Sequence, residues 1–200
     1  MAKETAKELD HRLLRQVQDG DMVAFSELVN RYRDRLMNVI GRMRISRECA
    51  EDIIQEAFLR VYQHRDKFDF KHCFSTWLYT IALNLARNEL RRNKKYTFVD
   101  IFDMQNKEVE ASVDAKVPSN LGPILQKAID TLPEKYKTAF LLRDIEEMPY
   151  DEVARVLSVP LGTVKSRVNR ARSILRDKLK PRMEERNALS KGALLPVNFF

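Results

Sequence analysis

Phe25, Leu28, Val29, Tyr32 and Leu36 fall at the spacing of one helical face. That period suits an α-helix and excludes a strand, whose side chains alternate between two faces. The same rhythm runs through residues 8 to 92 in four segments. Gly20-Asp21 breaks the first segment from the second, the third covers Arg47 to His64, and the fourth runs from Ser75, as N-cap, to about Arg92. Between Tyr96 and Ser119 no apolar period is sustained, and Asp100, Asp103, Glu108, Glu110 and Asp114 outweigh Lys107 and Lys116. This predicts an acidic linker. Helical pattern returns at Leu121, with Pro133 one residue into a helix start, and breaks again at Met148-Pro149-Tyr150 and Ser158-Val159-Pro160. Strand signals are few and no internal repeat appears. The expected fold class is all-α, with two small helical domains joined by a flexible acidic linker.

Charge narrows the partners. The formal net charge is +7 with a pI near 9.4, which favours a polyanion, either nucleic acid or an acidic membrane surface. Cys49 and Cys73 are the two cysteines, without a Cys-x-x-Cys pair, so no disulfide framework is expected and a reducing cytoplasm is the default. The N-terminal stretch is polar and charged, and no apolar run approaches membrane-spanning length, so no signal peptide and no membrane insertion are expected.

The stretch Pro160 to Arg172, PLGTVKSRVNRAR, carries four cations without losing a helical rhythm. With Thr163 as N-cap, Val164, Val168, Ala171 and Leu175 fall on one buried edge. Ser166, Asn169, Arg170 and Ser173 occupy the other side, flanked by Lys165 and Arg176. Those side chains hydrogen-bond base edges and phosphates. A short preceding helix, Tyr150 to Leu157, has Val153, Ala154 and Leu157 as its apolar face. The pair and its tight turn fit a helix-turn-helix, whose second helix enters the major groove. A solvated basic helix in a bundle is the plainer alternative.

On the mostly apolar segment Ser75 to Arg92, Trp77, Thr80, Asn84, Arg87, Asn88 and Arg91 project into one narrow sector. A polar stripe on an otherwise buried helix meets water or a polar ligand, because unpaired buried amides are costly. Just before it, residues 64–74 alternate cations with Phe68, Phe70 and Phe74. Unstacked bases need that mixture of flat apolar faces and backbone-binding cations, although ordinary core packing also accounts for such phenylalanines. His72-Cys73 has no second pair at ligand spacing, so no metal and no cofactor are expected. On the third segment Ala50, Ile53, Ile54, Ala57, Phe58 and Val61 form an inward face. Asp52, Gln55, Glu56, Leu59 and Gln63 point outward, and a leucine among acids and amides fits a protein-docking surface.

These stretches together resemble the ECF (extracytoplasmic function) sigma factors of the bacterial sigma-70 family, from about Leu9 to Lys180. The matching pieces are Gly20-Asp21, Ala24-Phe25, Leu28-Val29 and Tyr32, then Asp52 to Phe58, Phe74 to Tyr79, Ile81-Ala82 and Asn84. Leu132-Pro133, Tyr150 to Ala154, Gly162 to Arg167 and Arg170 to Arg172 follow in the same order. The resemblance implies sigma region 2 over residues 1–95, the linker over 96–120, region 4 over 121–183, and a C-terminal extension of unknown role over 184–200. It implies a non-enzymatic initiation factor that binds core RNA polymerase at clamp and flap, melts the −10 element, reads the −35 element and answers to an anti-sigma factor. Such a chain is expected to be monomeric when free of partners.

By the same resemblance, the −10 contacts fall on Lys67, Phe70, Lys71, Trp77, Thr80, Asn84, Arg87, Asn88 and Arg91. The −35 contacts fall on Thr163, Lys165, Ser166, Arg167, Asn169 and Arg170, and the polymerase contacts on Asp52, Gln55, Glu56 and Leu59. Asn84 matches the position that helps hold an extruded base against the preceding loop. Phe70 stands where the family loop often carries glycine, which alters the pocket. An autonomous helix-turn-helix regulator, a DNA-processing enzyme and a helical adaptor without DNA are the rivals. The first lacks a need for the Trp77 stripe, and the second for want of a strand-bearing nucleophile domain finds no support. The stretch Ala188 to Phe200 lies beyond the family's usual end, and either a disordered end or a docking segment fits it.

Overall fold

The computed structural model describes residues 4–43, 45–99 and 123–192, and these are helical with no strand among them. Four helices build the N-terminal domain: α1 (Ala6–Gln18), α2 (Met22–Ile40), α3 (Arg47–Gln63) and α4 (Phe74–Val99). The break at residue 20 is a glycine at φ 93°, a left-handed conformation that other residues resist. Asp21 then caps α2 by accepting from the backbone N–H of Val23 and Ala24 at 2.8 and 3.1 Å. Ser46 caps α3 through Cys49 N–H at 3.2 Å. Leu13, Leu14, Leu28, Leu36, Ile54, Ala57, Leu78 and Leu83 are buried together at the centre. Every residue of the inward face expected for α3 is buried.

The C-terminal domain holds α5 (Pro123–Asp130), α6 (Glu134–Phe140), α7 (Tyr150–Leu157) and α8 (Leu161–Gly192). A π-helical turn, Leu141–Ile145, prolongs α6. Val164, Val168, Ala171 and Leu175 are buried against α6 and α7, as their spacing predicts. The turn from α7 to α8 uses Ser158 in a left-handed conformation at φ 54°. Val156 joins the buried face of α7, and Ala154 is only half-buried.

Several boundaries shift. The fourth helix starts at Phe74, not with Ser75 as cap, because Cys73 C=O already accepts from Trp77 N–H at 3.3 Å and buried Phe74 belongs to the core. It also runs on through Val99, past the expected start of the linker at 96, while residues 100–122 lie outside the described residues. Pro133 is the N-cap of α6 rather than a residue inside it. The N-cap of α8 is Pro160 and not Thr163, since Thr163 and Val164 N–H both donate to Pro160 C=O at 2.9 and 3.2 Å. The backbone of α8 continues to Gly192, and the rest of the tail, 193–200, lies outside the described residues.

The two domains pack on each other, chiefly α7 on α4. Arg42, whose side chain is almost wholly buried, reaches Asp130 at 2.7 Å, and Lys137 Nζ donates to Arg42 C=O at 3.1 Å.

Candidate nucleic-acid interface

The loop between α3 and α4 is built around Asp69, which accepts from Lys71 N–H at 2.9 Å through its side chain and from His72 N–H at 3.0 Å through its carbonyl. That turn sets Phe68 beneath Trp77, with ring centroids 5.2 Å apart, and Phe74 beside it at 6.3 Å. Trp77 thereby stands as a wall between two cavities. The first, of about 300 Å³, is lined by Lys67, Phe68, Asp69, His72, Thr76, Trp77, Thr80 and Arg155. The second, of about 420 Å³, is lined by Arg60, His64, Lys67, Trp77, Ile81 and Asn84.

The polar stripe is thus divided. Lys67 and Trp77 serve both cavities, Thr80 the first and Asn84 the second, while Arg87, Asn88 and Arg91 continue along α4. Asn84 Oδ1 accepts from Arg87 Nη1 at 3.2 Å, which leaves the amide N–H groups of Asn84 to donate. Partial burial holds the Arg87 guanidinium below its ordinary pKa, assisted by the nearby charges of Arg167 and Arg91. An anion beside these three arginines would relieve their mutual repulsion.

Phe70 and Lys71 line neither cavity. Phe70 instead folds onto α1, edge-on to His11 at 5.3 Å and to Phe68 at 5.1 Å, under the Arg15 guanidinium at 4.9 Å. Lys71 is exposed. Arg60, His64, His72, Thr76 and Arg155 line these cavities without having been named as site residues from the sequence, although His64 and His72 fall within the cation–aromatic stretch 64–74. Arg60 and His64 sit one turn apart at the C-terminal end of α3, a spacing that a scan for basic residues flanking the aromatic loop would have caught.

Along α8, Lys165, Ser166, Asn169 and Arg170 are exposed on one side, whereas Thr163 and Arg167 are half-buried. Ser166 Oγ donates to Thr163 C=O at 2.9 Å, so its oxygen is left to accept. Arg172 is committed elsewhere, in a two-pronged pair with Asp144 at 2.5 and 3.0 Å. The exposed set offers hydrogen-bond donors and acceptors of the kinds that base edges and phosphates pair with, on a helix held firm by its opposite edge.

A third cavity, of about 490 Å³, runs between α2 and α3 and is lined by apolar Phe25, Val29, Met37, Ile54, Phe58 and Leu59 among polar Asn30, Arg33, Glu51 and Gln55. Leu59, which lines this groove, is 54% exposed. Of the four residues expected to dock polymerase, the groove brings Gln55 and Leu59 together. Asp52 is exposed and does not line it, and Glu56 is occupied by Arg60 at 2.7 Å. Among the described residues no cluster fit to hold a metal ion exists, both cysteines are free thiols, and no helix is long and apolar enough to cross a membrane.

Comparison with known proteins finds two matching regions along the chain. Sigma-70 region 2 matches residues 28–96, and Sigma-70 region 4 matches residues 123–175. The ECF RNA polymerase sigma factor SigW of Bacillus subtilis is 38% identical over 177 residues, which cover 84% of this chain and 95% of that one. The ECF RNA polymerase sigma-E factor of Escherichia coli K12 is 34% identical over 182 residues, covering 86% and 95%. In fold, the chain is similar to the sigma factor RpoE of Bartonella quintana, solved with the anti-sigma factor NepR, at a TM-score of 0.63 and 22% identity over 78% of this chain and 96% of that one. It is also similar to CnrH, solved with the cytosolic domain of CnrY, at a TM-score of 0.61 and 23% identity, covering 86% and 98%. With both regions matched in order and relatives aligned almost end to end, the chain belongs to the ECF subfamily of sigma-70 RNA polymerase sigma factors.

Proposed function

We propose that this chain binds core RNA polymerase in the cytoplasm and directs it to promoters through two separate DNA contacts, without catalysing a reaction itself. The observation that carries this reading is the pair of cavities on either side of Trp77. A flat aromatic wall flanked by Lys67, Thr80 and Asn84 is what an extruded base and its neighbouring phosphate require. Pulling a base from the duplex costs a few kcal/mol of unstacking. Stacking on Trp77 and hydrogen bonds from Asn84 offset that cost, while Arg87, Asn88 and Arg91 hold the opened strand along α4. Lys165, Asn169 and Arg170 on α8 read the −35 major groove, with Thr163, Ser166 and Arg167 at its backbone. Lys165 offers a point charge rather than the fork that grips guanine at two atoms, so Asn169 and Arg170 carry more of the base preference.

The groove around Leu59 supplies the polymerase contact: a central apolar residue in a half-polar rim is the anatomy of a docking site. An anti-sigma factor is the expected regulator, in keeping with the structural neighbour RpoE, solved with the anti-sigma factor NepR. The test is reconstitution of the chain with core bacterial RNA polymerase on a promoter library. Wild type yields polymerase-dependent transcripts that define both motifs. Asn84→Ala disturbs the −10 preference alone, and Arg170→Ala the −35 preference alone. DNA binding indifferent to polymerase, with no transcript, refutes the reading.

A further inference from the structure

Helix α1 has two inward faces with different partners. Asp10, Leu13, Leu14 and Val17 are buried, and Asp10 is tied to α2 by the Tyr32 hydroxyl and by Arg31 Nε at 3.1 Å. His11, Arg15 and Gln18 follow one another at steps of four and three residues, which puts them on a single helical face. That face meets the loop between α3 and α4. Gln18 Nε2 donates to Arg65 C=O at 2.7 Å, and the same carbonyl accepts from Phe68 N–H at 3.3 Å, where the 3-10 turn Arg65–Lys67 opens the loop. His11 Nε2 lies 2.8 Å from His72 C=O. A carbonyl only accepts, so the imidazole carries a proton on Nε2 and donates it there. Between these two bonds, Phe70 stands edge-on to His11 at 5.3 Å and under the Arg15 guanidinium at 4.9 Å. His11 also meets Phe68 edge-on at 5.8 Å.

One helix thus holds the loop at its entry, its middle and its exit. What the loop shapes is the smaller cavity: Lys67, Phe68, Asp69 and His72 line it, and Phe68 lies beneath its Trp77 wall with ring centroids 5.2 Å apart. His11, Arg15 and Gln18 line neither cavity beside Trp77. Their influence reaches a ligand only through the backbone and rings of the loop. A loose loop presents several cavity shapes and admits several bases. A loop fixed at three points presents one shape, and a base that fits it badly is rejected by the difference in fit.

We propose that His11, Arg15 and Gln18 are positioning residues for promoter selectivity: α1 fixes the loop that shapes the cavity beside Trp77, and so sets how sharply the chain discriminates among bases at the −10 element. The proposal rests on the reading of that cavity as part of the −10 site. Because the three side chains act on the shape of the loop, they govern −10 selectivity and leave the −35 preference and the affinity for polymerase alone.

The test is transcription by the full chain with core bacterial RNA polymerase on a library randomised at both elements, read as the base preference at each position. Gln18→Met keeps the length of the side chain and removes its donor. His11→Phe keeps a ring edge against Phe68 and Phe70 and removes its donor, whereas His11→Gln keeps a donor at similar reach. Arg15→Ala, at an exposed position, removes the cation over Phe70. Val17→Ala, wholly buried on the other face of α1, loosens the domain without touching the loop and is the structural control. Trp77→Ala tests the cavity itself. Affinity for core polymerase and denaturation midpoints are measured for every variant.

Gln18→Met and His11→Phe are each expected to lower discrimination at the −10 element about fivefold, and Arg15→Ala about twofold, with the −35 preference and polymerase affinity unchanged. His11→Gln is expected to keep the wild-type preference, and Val17→Ala to lower the denaturation midpoint with the preference intact. A −10 preference unchanged in both Gln18→Met and His11→Phe, while Trp77→Ala alters it, overturns the proposal. If those two variants fail to fold, Arg15→Ala decides in their place, and an unchanged preference there overturns it. A preference blunted as far by Val17→Ala shows a general loosening of the domain, and overturns it too. A −10 preference untouched by Trp77→Ala refutes the reading of the cavity itself, and the proposal falls with it.

Discussion

Asp10 on α1 shows how one residue's setting decides its chemistry. It is only 4% exposed, and it accepts from the Tyr32 hydroxyl and from Arg31 Nε at 3.1 Å. Burial raises its pKa despite those two partners, which pull the other way. The folded chain thus holds the Asp10 proton more tightly than the unfolded chain does. As pH rises from the ordinary carboxyl range through the raised value, the stability tied to Asp10 falls. Tyr32→Phe removes a donor the carboxylate needs more than the neutral acid does. The variant is expected to lose ~1–3 kcal/mol in urea denaturation near neutrality, and less at about pH 4. An equal loss at both pH values shows that Asp10 is not the group responsible. None of this was legible in the sequence, where Asp10 reads as one more polar residue in a charged stretch. The setting of Phe70 was hidden for a related reason: its pattern suits a base as well as it suits His11 and Arg15, and the packing sets it against those two.

Helix faces were the most legible part, because a period of 3.6 residues forces burial once a partner exists. The inward faces of α3 and α8 match residue for residue. Helix starts were less so. Thr163 and Ser75 are good caps by composition, yet Pro160 and Cys73 hold the cap positions, since a proline costs nothing where no N–H partner is needed and Phe74 is drawn into the core. The two faces of α3 also separate stability from docking. Leu59→Ala is expected to weaken binding to core polymerase about tenfold while moving stability by less than about 0.5 kcal/mol. Ile54→Ala, at a position 3% exposed, is expected to cost ~2–5 kcal/mol of stability. Denaturation midpoints beside immobilised-polymerase binding separate the two. Polymerase affinity untouched by Leu59→Ala removes the groove from the docking surface.

At the scale of the whole molecule, the packing of one domain on the other had no signal in the sequence. Glu146, Glu152 and Arg155 fall in a stretch where charges are expected to face water, and their partners Arg35, Thr76 and His72 lie far away along the chain. Composition reports a net charge of +7 and cannot say which acids are spent on which cations. The Arg42–Asp130 pair makes the same point, because a nearly buried arginine there answers a half-exposed aspartate in the other domain. Trp77 turns this arrangement into a signal. It is the only tryptophan in the chain, it walls two cavities, and Arg155 of the C-terminal domain lines one of them. Its intrinsic emission therefore reports the state of the unlabelled protein: hydration of the indole on parting of the domains shifts the emission to longer wavelength, and a base stacked on it quenches it. Parting of the domains and binding of a strand are expected to carry different optical signatures, and a spectrum that stays fixed through both shows that the indole meets neither water nor DNA.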